Sequence, residues 1–203
     1  MSLVVSVPAR GRPREFDADE ALTAALRVFW RKGYEAASLT DLTDAMGVSR
    51  PSLYAAFGNK EQLYRKALDL YEREKLAYVK TALGAPTARG VAERLLYGAL
   101  DVVTGMGDPQ GCLGVIATLP CGEEAQSIRD DVIAKRVASN TALIERFRAA
   151  KAAGDLAEDV DPDSLAKWLS AVMQGMSVQA GAGATRADLE RVIDTSLQFW
   201  PSR

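Results

Sequence analysis

Residues 47–64 read GVSRPSLYAAFGNKEQLY and hold two glycine turns eleven residues apart. Gly47 ends one short helical pattern, because a residue that accepts the left-handed conformation lets the chain reverse direction. Ser49 is suited to cap the helix that follows, since its hydroxyl can accept the free backbone N–H groups. The second turn, Gly58-Asn59, closes that helix and caps a longer one. The stretch therefore predicts a short helix held between two tight turns.

The segment Gly47-Val48-Ser49 joins two short helical patterns in the form of a helix-turn-helix. In such a unit the second helix enters the major groove of DNA, and its N-terminal residues lie near base edges. Arg50 and Ser52 are therefore candidates for reading bases. Tyr54, one turn further along, and Lys60, at the start of the longer helix, are candidates for contacting phosphates.

Apolar residues recur at helical spacing along nearly the whole chain, and no stretch alternates for long enough to predict a strand. We therefore expect an all-α protein. The expected helices are Asp17 to Gly33, a short one capped by Ser38 with Asp41, a short one capped by Ser49, Lys60 to about Thr81, Thr87 to near Gly105, Leu113 to Leu119, Glu123 to Ala153, Asp161 to about Ala180, and one from Thr185 to Trp200.

The 203 residues include no histidine. This absence excludes Ser-His-Asp and Cys-His catalysis and the usual zinc enzymes. The two cysteines, Cys112 and Cys121, lie nine residues apart, which matches no common metal spacing. No window approaches the roughly eighteen apolar residues of a membrane span. We therefore expect a cytoplasmic protein that is not an enzyme and needs no metal or cofactor.

Residues 14–64 resemble the DNA-binding domain of the TetR family of transcriptional repressors. The resemblance is carried by the string RVFWRKGYEAASLTDLTDAMGVSRPSLYAAFGNKEQLY, with its Met46-Gly47-Val48-Ser49 turn followed by Leu53-Tyr54 and Lys60. It implies a one-component regulator, expected to be a repressor, that binds a pseudo-palindromic duplex operator as a homodimer and is released by a small-molecule effector. With the residue patterns it gives these candidate DNA contacts: Arg14, Ser38, Thr40, Ser49, Arg50, Ser52, Tyr54 and Lys60.

The expected domain organisation has three parts. Residues 1–13 form a flexible basic arm, residues 14–62 the helix-turn-helix DNA-binding domain, and residues 63–203 a helical effector-binding and dimerisation domain. Arg10 and Arg12 in the arm, with Arg14 next to it, are either a solvated tail or a group that enters the minor groove.

The larger domain carries apolar and aromatic side chains on its helical patterns. The candidates for lining an effector site are Tyr71, Tyr97, Leu100, Phe147, Trp168 and Met173. Because none of them carries a charge, we expect a small apolar or aromatic effector. The same side chains also fit a buried core. Cys112 and Cys121 are either small buried residues or thiols that sense oxidants or electrophiles.

The last two predicted helices hold more apolar side chains than one small domain can bury. They include Leu165, Trp168, Val172, Leu189, Val192 and Trp200. In a homodimer these helices would pair as a four-helix bundle.

The alternative to a transcriptional regulator is a helical ligand-binding protein or enzyme in which the helix-turn-helix is incidental. The absence of a phosphate-binding loop and of a metal cluster weighs against an enzyme.

Overall fold

The computed structural model describes residues 17–116 and 126–201. Its helices are α1 Ala18–Ala36, α2 Leu39–Met46, α3 Arg50–Phe57, α4 Lys60–Lys75, α5 Ala77–Leu83, α6 Ala88–Val103, α7 Leu113–Ile116, α8 Gln126–Ala152, α9 Pro162–Gly181 and α10 Arg186–Gln198. Neither described range contains a β-strand. The predicted all-α fold is therefore confirmed.

Local capping produces the helix-turn-helix as the sequence predicts. Ser38 and Asp41 form a reciprocal capping box at the start of α2, and Ser49 caps α3 through the backbone N–H of Ser52. Between them Gly47 adopts the left-handed conformation, with φ 65° and ψ 29°. Leu53 of α3 is fully buried, which fixes the rotation of α3 and turns its other face outward.

The predicted helix from Lys60 to about Thr81 is instead two helices, and the prediction was wrong at this point. Leu76 interrupts it with φ −105° and ψ 5°. The apolar spacing continues across the break, but α4 packs on α1 whereas α5 packs on α6. The predicted end at Leu119 and start at Glu123 lie outside the described residues.

Two hydrophobic clusters organise the described residues. One joins α1–α4, with large buried side chains such as Trp30, Tyr64 and Tyr71, and it also includes Ile128 and Val132 of α8. The other joins α5, α6, the C-terminal half of α8, α9 and α10. Because α8 contributes to both clusters, it connects the helix-turn-helix unit to the rest of the chain. The domain boundary after residue 62 stays a prediction.

None of the helices in the described ranges has the length and hydrophobicity needed to cross a membrane.

Replacing Gly47 by alanine should lower the free energy of unfolding by about 1–2 kcal/mol, because an L-residue is strained in the left-handed conformation. A Cβ at this position meets no atom within 4 Å, so the loss would report backbone strain alone. The matched control is Gly181→Ala, at the helical end of α9 where a Cβ also meets nothing within 4 Å. Urea unfolding of both variants measures the difference; equal stability would contradict the assigned role of Gly47.

Candidate nucleic-acid interface and ligand cavity

Most of the candidate DNA-contacting side chains lie on one exposed part of the helix-turn-helix. Ser38, Thr40, Ser49, Arg50 and Tyr54 are exposed, Ser52 and Lys60 are half-buried, and Arg14 lies outside the described residues. Tyr54 keeps 46% of its surface exposed beside the fully buried Leu53. An aromatic side chain held outward in this way is available to a partner, whereas its neighbour serves the core.

The polar residues at the start of α3 are already ordered by one another. Arg50 Nη2 donates to Thr40 Oγ1 at 3.0 Å, so the first residue of α3 is tied to the first turn of α2. The hydroxyl oxygens of Ser49 and Ser52 are 2.9 Å apart. A guanidinium has five N–H donors in a fixed fork, and the contact with Thr40 occupies only one of them. The remaining donors can reach an acceptor pair on a base edge.

Lys60, the first residue of α4, contacts the end of α1. Its Nζ donates to the backbone oxygen of Glu35 at 3.3 Å and lies 4.6 Å from the centroid of the Tyr34 ring. At the same helix end Asn59 accepts the backbone N–H of Gln62 at 2.8 Å. The side-chain cap thus takes one of the free N–H groups at the start of α4, and the Lys60 ammonium stays the candidate for a phosphate contact there.

Electrostatics stabilise the start of α2. Hydrogen bonds from Lys32 and then from Ser38 lower the pKa of Asp41 to about 2, and the Lys32 Nζ lies 2.7 Å from the carboxylate. The lowered pKa means that this contribution to stability is fully present above the ordinary aspartate pKa and is lost as the pH falls towards 2. The capping box that positions Thr40 and α3 is therefore intact at neutral pH.

The segment between α6 and α7 connects the helix-turn-helix unit to the body. Trp30 Nε1 donates to the backbone oxygen of Gly111 at 3.2 Å in a buried contact. The Tyr71 hydroxyl donates to Cys112 Sγ at 3.0 Å, and the rings of Trp30 and Tyr71 meet edge to face at 4.8 Å. Asp108 in the same segment pairs with Lys75 of α4 at 2.5 Å. Helices α1 and α4 are thereby joined to the segment that leads from α6 into α7.

A cavity of about 820 Å³ lies between α4, α5, α6, α7, α8 and α9. This volume suits a drug-sized molecule. Two of the six effector-site candidates, Tyr71 and Met173, line it. Tyr78 and Cys112 also line it; Cys121 lies outside the described residues.

Desolvation is the main cause that raises the pKa of Tyr71 and of Tyr78 above the ordinary tyrosine value, so both hydroxyls remain protonated donors at neutral pH.

The other four candidate ligand residues do not line this cavity. Leu100 and Phe147 are fully buried in the hydrophobic cluster of the larger domain. Trp168 is 37% exposed and faces the Trp200 ring at 6.1 Å, and Tyr97 is also exposed. Helical periodicity identified these side chains correctly as apolar positions, but it does not show which face of a helix meets a cavity.

The cavity lining includes charged residues, whereas the six sequence candidates are all uncharged. Among the described residues, four charged side chains line the cavity, namely Glu72, Lys135, Arg136 and Lys167. Sequence reasoning missed them because a charged position on an amphipathic helix is normally assigned to the solvated face. The approach of α4 to α8, which brings Glu72 and Lys135 to 2.9 Å, places these two side chains at the cavity wall.

Comparison with known proteins places this architecture in a family. The profile described as "Bacterial regulatory proteins, tetR family" matches residues 21–67, which contain the helix-turn-helix. The profile "Tetracyclin repressor-like, C-terminal domain" matches residues 93–196, about half of the chain. The chain belongs to the TetR family. It is a helix-turn-helix transcriptional regulator.

Curated TetR-family relatives match over nearly their whole length. The repressor ComR of Escherichia coli strain K12 is 33% identical over 95% of this chain and 93% of its own. The repressor BdcR of the same strain is 29% identical over 93% of this chain and 94% of its own. Both relatives are named as transcriptional repressors, so the family points to regulation rather than to catalysis.

A solved structure similar to this chain is a cysteine mutant of the TetR-family regulator CifR in complex with 26-base-pair double-strand operator DNA. It is 44% identical, with a TM-score of 0.86, and the match covers 94% of this chain and 100% of CifR. A regulator from Rhodococcus sp. RHA1 is 38% identical with a TM-score of 0.64, over 92% of this chain and 100% of its own.

Proposed function

We propose that this TetR-family regulator is a one-component cytoplasmic repressor. It binds a pseudo-palindromic operator in duplex DNA as a homodimer and leaves it when a small molecule occupies the cavity. The observation that carries the proposal is the polar group at the start of α3, where the Arg50 side chain donates to Thr40 and the Ser52 backbone N–H donates to the Ser49 hydroxyl. The operator complex of CifR, a protein of the same fold and 44% identity, supports it.

The proposed DNA contacts follow from the geometry of α3. Arg50 and Ser52 read base edges in the major groove, and Thr40 holds Arg50 in place. Tyr54 and Lys60 bind phosphates on either side and fix the register. The proposed arm, residues 1–13 with the adjacent Arg14, follows the minor groove.

The proposed homodimer uses the outer faces of α9 and α10. Trp168 and Val178 of α9 and Phe199 at the end of α10 are 37%, 60% and 74% exposed in the single chain. Large apolar side chains left exposed along two adjacent helices mark an interaction surface. Pairing α9 and α10 of two protomers would bury these side chains in a four-helix bundle.

Effector control is proposed to act through α4. Its first turn carries Lys60, and further along it Tyr71 both lines the cavity and contacts Trp30 of α1. A molecule that moves α4 therefore moves the helix-turn-helix unit. In a homodimer the two α3 helices must lie roughly 34–36 Å apart to enter successive major grooves, so a change in this spacing releases the DNA.

The alternative function, a ligand-binding protein or enzyme with an incidental helix-turn-helix, is tested by selecting duplexes from a random pool with the full-length protein. The repressor proposal predicts an enriched inverted repeat that nanomolar protein binds at moderate salt. A pool that shows no enrichment after repeated rounds, with protein that is folded and binds small molecules, would favour the alternative.

Replacing Lys60 by alanine should weaken binding to every duplex by the same factor and reduce the slope of log affinity against log salt by about one for each bound protomer, because each protomer loses one phosphate contact. Fluorescence anisotropy at four salt concentrations measures both quantities. Lys80→Ala, an exposed lysine on α5, is the matched control and should change neither. Unchanged affinity and slope for Lys60→Ala would remove this residue from the interface.

A further inference from the structure

The cavity wall is chemically divided. Helices α4, α5 and α6 supply a mainly apolar part, which includes Leu68, Val79, Leu83, Leu95 and Val102. Helices α8 and α9 supply a polar part, which includes Asn140, Thr141, Ser170 and Gln174. A ligand that satisfies both parts has an apolar body and a polar head group.

The charged side chains of the wall favour one sign of head group. Among the lining residues that the structure describes, Lys135, Arg136 and Lys167 are cations and Glu72 is the carboxylate, which leaves a formal charge of +2. Arg136 Nη2 donates to the backbone oxygen of Gly114 at 2.8 Å, which holds its side chain at the wall. Asp69, outside the lining, lies 3.0 Å from Lys135 and reduces the sum to +1, so the described wall still favours an anion over a cation.

The cavity wall also holds one end of a polar ladder between α4 and α8. We define the α4–α8 ladder by three steps, each four residues further along both helices: Glu61 with Ser127, Arg65 with Asp131, and Asp69 and Glu72 with Lys135. The helices run parallel along it, because both sets of residue numbers rise together. Only the last step reaches the cavity, through Glu72 and Lys135.

Lys135 is the ladder residue whose carboxylate partner can be exchanged for a ligand. Its Nζ lies 3.0 Å from Asp69 and 2.9 Å from Glu72. Burial by itself lowers the pKa of Lys135, but hydrogen bonds to Glu72 and Asp69 raise this pKa above the ordinary lysine value. The ammonium is therefore charged at neutral pH. Its partners are carboxylates with substantial exposure, and exposed ion pairs contribute little net stability. A ligand carboxylate can replace one of them at small cost.

We propose that the cavity binds an amphipathic carboxylate whose head group takes the place of Glu72 on Lys135 while its apolar body lies against α4, α5 and α6. Glu72 belongs to α4, which shares a hydrophobic cluster with α1, α2 and α3. Occupancy therefore removes one of the two contacts that α4 makes with Lys135 and loosens the last step of the α4–α8 ladder. This regulatory consequence rests on the proposed function, whereas the binding preference does not.

The first test compares three probes with a ten-carbon chain by titration calorimetry with the full-length protein, below the micelle concentrations of the two ionic probes and the solubility limit of the neutral one. Sodium decanoate carries the anionic head group, 1-decanol a neutral one and decyltrimethylammonium a cationic one. We expect decanoate to bind about tenfold more tightly than decanol, as a charge-assisted hydrogen bond allows, and the cation to bind most weakly. Decyltrimethylammonium binding as tightly as decanoate would overturn the proposal.

Two variants locate the head group. Lys135→Gln should remove the tenfold preference for decanoate and leave decanol binding within about twofold of wild type. Glu72→Gln should keep or increase the preference, because it removes the competing carboxylate while Lys135 stays. Lys80→Gln is the control. A full preference retained in Lys135→Gln would overturn the proposal; none of these titrations contains DNA, so their outcome is independent of whether the protein binds an operator.

Discussion

Replacing Phe199 by aspartate is expected to convert the proposed homodimer into monomers and to lower operator affinity at least a hundredfold. Phe199 is 74% exposed in the single chain, so the substitution should cost the protomer little stability. In the proposed four-helix bundle the new carboxylate would be buried without a partner, which is strongly unfavourable. Two linked reading units owe roughly 10²–10⁴-fold of their affinity to simultaneous engagement, and a monomer loses this gain.

Light scattering at micromolar concentration measures the assembly state, and anisotropy with the selected duplex measures the affinity. Val178→Asp, on the exposed face of α9, should have the same effect from the other helix. Met106→Asp is the matched control, since Met106 is fully exposed and lies outside both helices. A wild-type protein that is monomeric, or Phe199 and Val178 variants that remain dimers, would disprove the proposed interface.

Replacing Arg50 by alanine is expected to weaken operator binding by about 1–3 kcal/mol, or roughly 5–150-fold, for each half-site and to relax the preference at one base pair in each half-site. The fork of donors at the first position of α3 can bind two acceptors on one base, which alanine cannot. The fold should be unaffected, because Arg50 is exposed and its bond is to the exposed hydroxyl of Thr40.

The measurement uses the selected duplex and all single base-pair changes within one half-site. For the Arg50→Ala variant, affinities at one position should become nearly equal while the other positions keep their order. Arg73→Ala, an exposed arginine on α4, is the matched control. A uniform loss with every base preference unchanged would mean that Arg50 binds a phosphate and that another residue reads the sequence.

The helix-turn-helix could be predicted from the sequence because its determinants are local. A serine or asparagine cap followed by a partner three residues later, as in Ser38 with Asp41 or Asn59 with Gln62, acts within one helical turn. The left-handed Gly47 likewise needs only its neighbours. Apolar spacing then fixes which face of each short helix is buried, so the exposed positions of Arg50 and Tyr54 follow directly.

The cavity could not be predicted in the same way because it is a property of packing between helices distant in sequence. Of the six candidates, Tyr71 and Met173 line the cavity, whereas Leu100 and Phe147 are buried in the hydrophobic cluster. The helix break at Leu76 depends on the packing of α5 against α6, whereas α4 packs against α1. The Glu72–Lys135 pair joins residues 63 positions apart, and no local pattern marks it.

The most direct test of ligand control is a paired measurement on the molecule that raises the melting temperature most in a screen of small ligands. Its affinity is measured for the free protein and for the operator complex. Linkage requires that a ligand which weakens DNA binding by a given factor must itself bind the complex more weakly by the same factor. We expect the ligand to bind the operator complex about 5–150-fold more weakly than the free protein. Equal affinities for the free protein and the complex would contradict ligand control of DNA binding.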